Sequence, residues 1–171
     1  MRTNLQRDEQ PLNIFATLAH NPGLLRRQNQ FGGRFLFRGS IDERAREIVI
    51  LRSAYRSRSV YEFGQHTIIG ERCGLRPDEI ARLARSDVGE GWSPAERRLI
   101  TMVDELSDDD CVTDETWAGL RADYDDGQLV EVLLLPGYYR MIAGFLNSAG
   151  VELEDDAPGW PDGVEGLDGV G

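Results

Sequence analysis

The sequence contains no lysine: its 19 basic residues are all arginine, set against 30 acidic ones. Without a lysine amine there is no Schiff-base chemistry. The net charge of −11 argues against a nucleic-acid partner, because phosphate affinity rests on a basic surface. Cysteine is nearly as scarce. Cys73 and Cys111 stand far apart and in no metal-binding or redox spacing, which speaks against a disulfide framework or a zinc site. No apolar run approaches the roughly 20 residues that a membrane helix needs, and the N-terminus lacks the basic and apolar segments of a secretion signal. These absences predict a cytoplasmic protein with no membrane partner. Strand-like alternation is missing as well, and no internal repeat stands out.

What is present is helical periodicity on a chain of 171 residues, 40% of them hydrophobic, enough for one domain with a real core. Residues 1–10 are polar and read as a flexible N-terminus. Residues 11–153 read as a single helical domain, and 154–171, acidic and rich in glycine and proline, as a disordered tail. Leu12, Phe15, Leu18 and Ala19 give a first helix that stops before Asn21-Pro22. A second, from Gly23 to Phe37, is interrupted in propensity by Gly32-Gly33. Ser40-Ile41-Asp42-Glu43 and Ser93-Pro94-Ala95-Glu96 have the form of capping boxes, while Thr113 and Asp125 or Asp126 are predicted caps for two later helices. Pro77 opens a short helix. The Leu129–Phe145 stretch is apolar around most of its circumference, which predicts a place at the centre of the fold or in a subunit interface, with a kink at Pro136-Gly137.

The segment with chemical content runs from Glu47 to His66. Glu47 precedes the apolar run Ile48-Val49-Ile50-Leu51, and Glu62 and His66 lie four apart on the next helix, hence on one face, one turn above the other. If the two helices form an antiparallel hairpin, Glu47 meets the pair. Two carboxylates and an imidazole in a partly apolar pocket split their proton affinities and supply an acid and a base near neutral pH. The same residues also have a purely structural use. Ser59-x-x-Glu62 is itself a capping box, His66 fits an ordinary hydrogen-bonded histidine, and Glu47 a salt-bridged carboxylate. A metal site built from Glu47, Glu62 and His66 is less favoured, because ordered sites usually use more His or Asp ligands.

In order, a capped helix with Glu47 ahead of its apolar run, a short link, a helix bearing Glu62 and His66, then Gly74-Leu75 and a capped short helix resemble the carboxymuconolactone decarboxylase and alkylhydroperoxidase D-like family. The stretch Glu131-Val132-Leu133-Leu134-Leu135-Pro136-Gly137-Tyr138-Tyr139-Arg140 resembles that family's second conserved helix, so the likeness spans Leu12 to Val151. It implies an all-α, alkylhydroperoxidase D-like helical bundle with a central antiparallel helix hairpin, no cofactor, and assembly as a homo-oligomer, a trimer or hexamer. In the hydroperoxidase branch the helix carries Cys-x-x-Cys with a histidine four residues after the second cysteine, and a relay glutamate sits on the preceding helix. Glu47 matches the glutamate and His66 the histidine, but the cysteines fall on Ser59 and Glu62, neither of which can be oxidised reversibly.

The resemblance therefore implies the cysteine-less, decarboxylase-like branch. That branch suggests a cofactor-independent lyase or isomerase transferring protons on a small carboxylic acid, lactone or ketone. Glu62 and His66 would move the proton and Glu47 tune the imidazole. Ser59, Tyr61, Gln65 and Tyr139 would contact the substrate, and Arg52 or Arg140 would hold its carboxylate. Two other readings stay open: a thiol-dependent, peroxidase-related oxidoreductase with Cys73 as the nearby thiol, and a non-catalytic small-molecule-binding or scaffold subunit.

Overall fold

The computed structural model describes residues 11–164; the expected flexible segment 1–10 and the last part of the expected tail, 165–171, lie outside the described residues. The described residues form eight helices and no strand: α1 (Asn13–Leu18), α2 (Pro22–Arg38), α3 (Glu43–Arg56), α4 (Val60–Arg72), α5 (Pro77–Leu83), α6 (Pro94–Asp109), α7 (Asp114–Asp123) and α8 (Asp126–Ala149). Most start where the sequence signals them. Asn21 caps α2 ahead of Pro22, Ser93 and Glu96 close a reciprocal box on α6, Thr113 caps α7, and Asp125 pairs with Gln128 on α8. At α3 the cap is Asp42 and not Ser40, because the Asp42 carboxylate accepts from the amides of Arg44 and Ala45. Ser40 turns away instead, and its amide and hydroxyl both donate to Glu131 of α8.

The helix at the centre is α3, packed against α4, α6 and α8. Ile48, Val49, Ile50 and Leu51 are consecutive, so they point in all directions around the axis, and all four are fully buried. The Leu129–Phe145 stretch packs against α2, α3, α4, α6 and α7, but it is buried on one side only. One face of α8 enters the core through Leu129, Val132, Leu135 and Leu146, while Val130, Leu134 and Met141 are exposed. α8 is also, by length and composition, long and apolar enough to cross a membrane, contrary to the reading that no run comes close; half of that stretch is buried inside the fold. It continues as one helix through Pro136. The glycine pair in α2 likewise leaves its helix intact, and a Cβ at Gly32 would overlap the Tyr138 hydroxyl, so glycine there lets α2 lie close against α8.

α3 and α4 form the expected antiparallel hairpin. Beside the link the Ser59 amide donates to the Ala54 carbonyl, further along Glu47 meets His66, and at the far end Arg44 reaches the Gly74 carbonyl.

The expectation of a disordered tail from residue 154 is corrected as far as 164. Glu154 accepts from the Asn13 amide and the Tyr61 hydroxyl, each at 2.8 Å, and from the Gln65 side chain. Trp160 stacks on Phe63 with ring centroids 4.8 Å apart. The Pro158 carbonyl rests on Gly64, where a Cβ would overlap it. Glycine and proline here shape a strap that crosses the outer side of α4, anchored by one tryptophan and one carboxylate.

Candidate active site

α4 presents one side to this strap and the other to a half-open cavity of about 810 Å³ lined by α1, α2, α4 and α8. Its start determines what the cavity receives. The Ser59 hydroxyl accepts from the Glu62 amide, as a cap should, but the Ser59 amide is taken by Ala54, so no reciprocal bond from the Glu62 carboxylate forms. The box is half made, and the Glu62 side chain is free to line the cavity one turn from His66.

Glu47 approaches from α3. It is fully buried, its Oε2 lies 2.7 Å from His66 Nδ1, and its Oε1 accepts from Arg46 Nε at 2.8 Å. The rest of the Arg46 guanidinium reaches the Leu36 carbonyl and the Cys73 sulfur. Because Nδ1 is engaged by Glu47, Nε2 is the ring nitrogen left for a ligand, and the Tyr139 ring holds the imidazole edge-on with centroids 4.9 Å apart. Glu62 differs from Glu47 in having no such partners: it is 4% exposed and its Oε2 is buried without a hydrogen bond.

The proton affinities follow from these contacts. Burial pushes the Glu62 carboxyl up to about 7, with the nearby Glu47 charge adding to the rise and His66 opposing it. Burial works in the same direction on Glu47, but the attraction and hydrogen bonds of His66 and Arg46 outweigh it and hold Glu47 below its ordinary value. For His66 burial disfavours the charged ring, yet the Glu47 carboxylate more than compensates and raises it. The result is a histidine–carboxylate pair, each partner favouring the other's charged form, beside a carboxyl group that is part protonated near neutral pH. Tyr139 is pushed well up by burial and by both carboxylates, so it stays a neutral phenol.

The structure brings together Glu47, Glu62, His66, Tyr61, Gln65 and Tyr139, all but Glu47 in the cavity wall. Tyr61 receives the Ile14 amide and donates to Glu154, which ties it to α1 and the strap. Ser59 is a buried cap away from the cavity. The two arginines are misplaced for a substrate carboxylate. Arg52 is buried on the other side of α3 in a bidentate pair with Asp104 and on the carbonyls of Leu83 and Arg85, and Arg140 is a half-exposed surface residue near Asp110. Sequence reasoning missed Arg46, the second cation on Glu47, and Gln28, whose Nε2 donates to the Tyr138 hydroxyl at 2.8 Å while its Oε1 is buried and unpaired. Cys73 touches Arg46 from behind and does not line the cavity; burial and the Glu47 charge raise its thiol. Among the described residues no group of three or more His, Cys, Asp or Glu side chains is arranged to hold a metal ion.

A sequence match to the carboxymuconolactone decarboxylase family covers residues 22–105, the whole of α2 to α5 and most of α6. Those residues place the chain in that family. The span includes Glu47, Glu62 and His66. No curated protein matches the chain. Solved structures of the same fold include the alkylhydroperoxidase AhpD core of an uncharacterized peroxidase-related protein from Ralstonia eutropha (TM-score 0.76, 17% identity, 84% of this chain and 77% of that one). A protein of unknown function from Agrobacterium tumefaciens (0.75, 14%, 82% and 97%) is similar. So is an uncharacterized peroxidase-related protein from a Silicibacter species (0.76, 11%, 84% and 76%). These likenesses establish the all-helical AhpD-like fold.

Proposed function

We propose that the chain is a cofactor-independent acid–base enzyme, a lyase or isomerase that moves a proton on a small carboxylic acid, lactone or ketone. The observation that carries this reading is Glu62, a carboxyl group in the cavity wall with a buried unpartnered oxygen and a proton affinity near neutrality, one turn from an imidazole oriented by a second carboxylate. The ionised form takes a proton from carbon next to a carbonyl, and the electron pair moves onto the carbonyl oxygen, where the His66 N–H supports the developing charge. Return of the proton from Glu62 to a different carbon completes an isomerisation. In a decarboxylation the carboxyl carbon leaves as carbon dioxide and protonated Glu62 delivers its proton to the carbanion. Glu47 and Arg46 do not touch the substrate; they fix the ring and its charge.

Assembly as a trimer or hexamer belongs to the same proposal, supported by the exposed Val130, Leu134 and Met141 on α8. The thiol-dependent reading has less support, because Cys73 lies outside the cavity and its thiol is raised, where a peroxidatic cysteine needs a thiolate.

The test is solvent-deuterium exchange into a panel of small lactones, ketones and keto acids, followed by NMR. Glu62→Gln and His66→Ala should each lower the rate by about 10² to 10⁴-fold with the helical fold retained. Undiminished exchange in both variants overturns the proposal.

A further inference from the structure

We propose that Tyr139 is a further catalytic residue: its hydroxyl donates a hydrogen bond to the substrate oxygen that becomes negative when Glu62 takes the proton from carbon. This role presupposes the acid–base reading above, and it follows from which donors the cavity wall has left to give. Most are already spent. The Tyr61 hydroxyl donates to Glu154, and the Gln65 amide nitrogen is held by the same carboxylate. Gln28 gives its amide to the Tyr138 hydroxyl, and the Tyr138 ring lies against Phe31 and Phe35 on the α2 side. The Tyr139 hydroxyl differs. Among the described residues it has no hydrogen-bond partner, although Tyr139 is only 4% exposed, and it is not one of the sealed unpaired atoms, which around this cavity are Gln28 Oε1 and Glu62 Oε2. A hydroxyl that is unpaired and yet not sealed, on a residue of the cavity wall, opens into the cavity.

Its position is set by His66. The two rings meet edge to face, with centroids 4.9 Å apart and planes at 90°, so the phenol borders the same stretch of cavity as the imidazole and as Glu62 one turn away. Both carboxylates act on it, Glu62 the more strongly, and together with burial they oppose its ionisation. Tyr139 is therefore a donor here and not a base. The chemistry calls for such a donor: when the C–H bond beside the carbonyl breaks, its proton passes to the Glu62 carboxylate and its electron pair to the carbonyl oxygen, and a buried oxyanion is stabilised by donors already aimed at it. Tyr139 keeps its own proton throughout, and its hydrogen bond strengthens as the charge develops. His66 and Arg46 share the single Glu47 carboxylate, so a protonated ring leaves that trio with a net positive charge beside the same oxygen.

Tyr139→Phe removes the hydroxyl and keeps the ring against His66. Two probes of matched shape read the difference by equilibrium dialysis against the full chain at pH 6.5. One is 3,4-dinitrophenol, whose ionised oxygen stands for the enolate and which meets a Glu62 that mostly holds its proton, as it does after the transfer. The other is 3,4-dinitrotoluene, with a methyl group in place of that oxygen. The natural protein should bind the phenolate, and the variant should bind it about 10 to 100-fold more weakly, while the two proteins treat dinitrotoluene alike. Equal binding of the phenolate by both proteins, a parallel loss for both probes in the variant, or no binding of the phenolate to the natural protein overturns the proposal. Any of these leaves the role of Glu62 standing, because that is read separately by solvent-deuterium exchange in Glu62→Gln. Undiminished exchange there removes the acid–base reading, and the role of Tyr139 with it, even where the phenolate binds as expected.

Discussion

α3 carries two buried arginine–carboxylate units six positions apart, and they have been put to different uses. Arg52 meets both oxygens of Asp104 at 2.7 and 2.8 Å, and its remaining donors hold the carbonyls of Leu83 and Arg85, so that α3, the end of α5 and α6 are bound at one point. Arg46 meets Glu47 through Nε and one oxygen only, the other Glu47 oxygen holds His66, and the next carboxyl group, Glu62, has an oxygen with no partner. A buried polar group whose bonds are complete stabilises architecture. One left incomplete at the edge of a cavity is poised for a ligand.

Substitutions can break this contrast from either side. Glu47→Gln has the largest expected effect, because it strands Arg46 and His66 as buried cations without an anion; urea denaturation should show a loss of about 3–5 kcal/mol. His66 should also titrate at lower pH by NMR, since its raised affinity comes from that carboxylate winning over burial. Arg52→Met should cost about 3 kcal/mol, because two carbonyls lose their donors while Asp104, part exposed, regains water. Its α-proton exchange per folded molecule should stay within twofold of the natural protein.

Glu62→Gln sharpens the contrast with the opposite sign. In the folded chain Glu62 keeps its proton up to about 7, but the ordinary value is 4.5, so folding takes up a proton between these limits and stability falls as pH rises through that window. The variant should therefore be stabilised relative to the natural protein by about 2 kcal/mol more at pH 8 than at pH 5, read from urea midpoints at both. Arg140→Ala, at a half-exposed surface pair, should change stability by less than about 0.5 kcal/mol and exchange not at all.

Much of the fold was legible because local rules agreed: caps at Ser59, Ser93, Thr113 and Asp125, and a four-residue spacing that put Glu62 and His66 on one face. The convergence of Glu47 on that pair needed only a short link between two helices. Other features depend on tertiary packing that no local pattern encodes. In Glu43-Arg44-Ala45-Arg46-Glu47 nothing distinguishes the arginine that ends buried against Glu47 from the one that ends half-buried against Glu79 and Glu96. Arg52 was read as a substrate-holding arginine, and its local sequence does not reveal that Asp104 and two carbonyls on the other side of α3 bury it. The tail was misjudged from composition, where a single tryptophan at 160 was the signal available. Ser40 lost its cap role to Asp42 because Glu131, some ninety residues later, competes for it.

Glu154 bonds to Asn13, 141 residues earlier in the chain, and to Tyr61, 93 residues earlier. Glu47 and His66 are only 19 residues apart. Short-range contacts close early in folding and long-range ones late, so the acid–base machinery assembles from a nearby hairpin while the α1 wall that encloses it waits for a segment made long afterwards. A growing polypeptide would thus possess its reactive groups well before it had a chamber to shelter them.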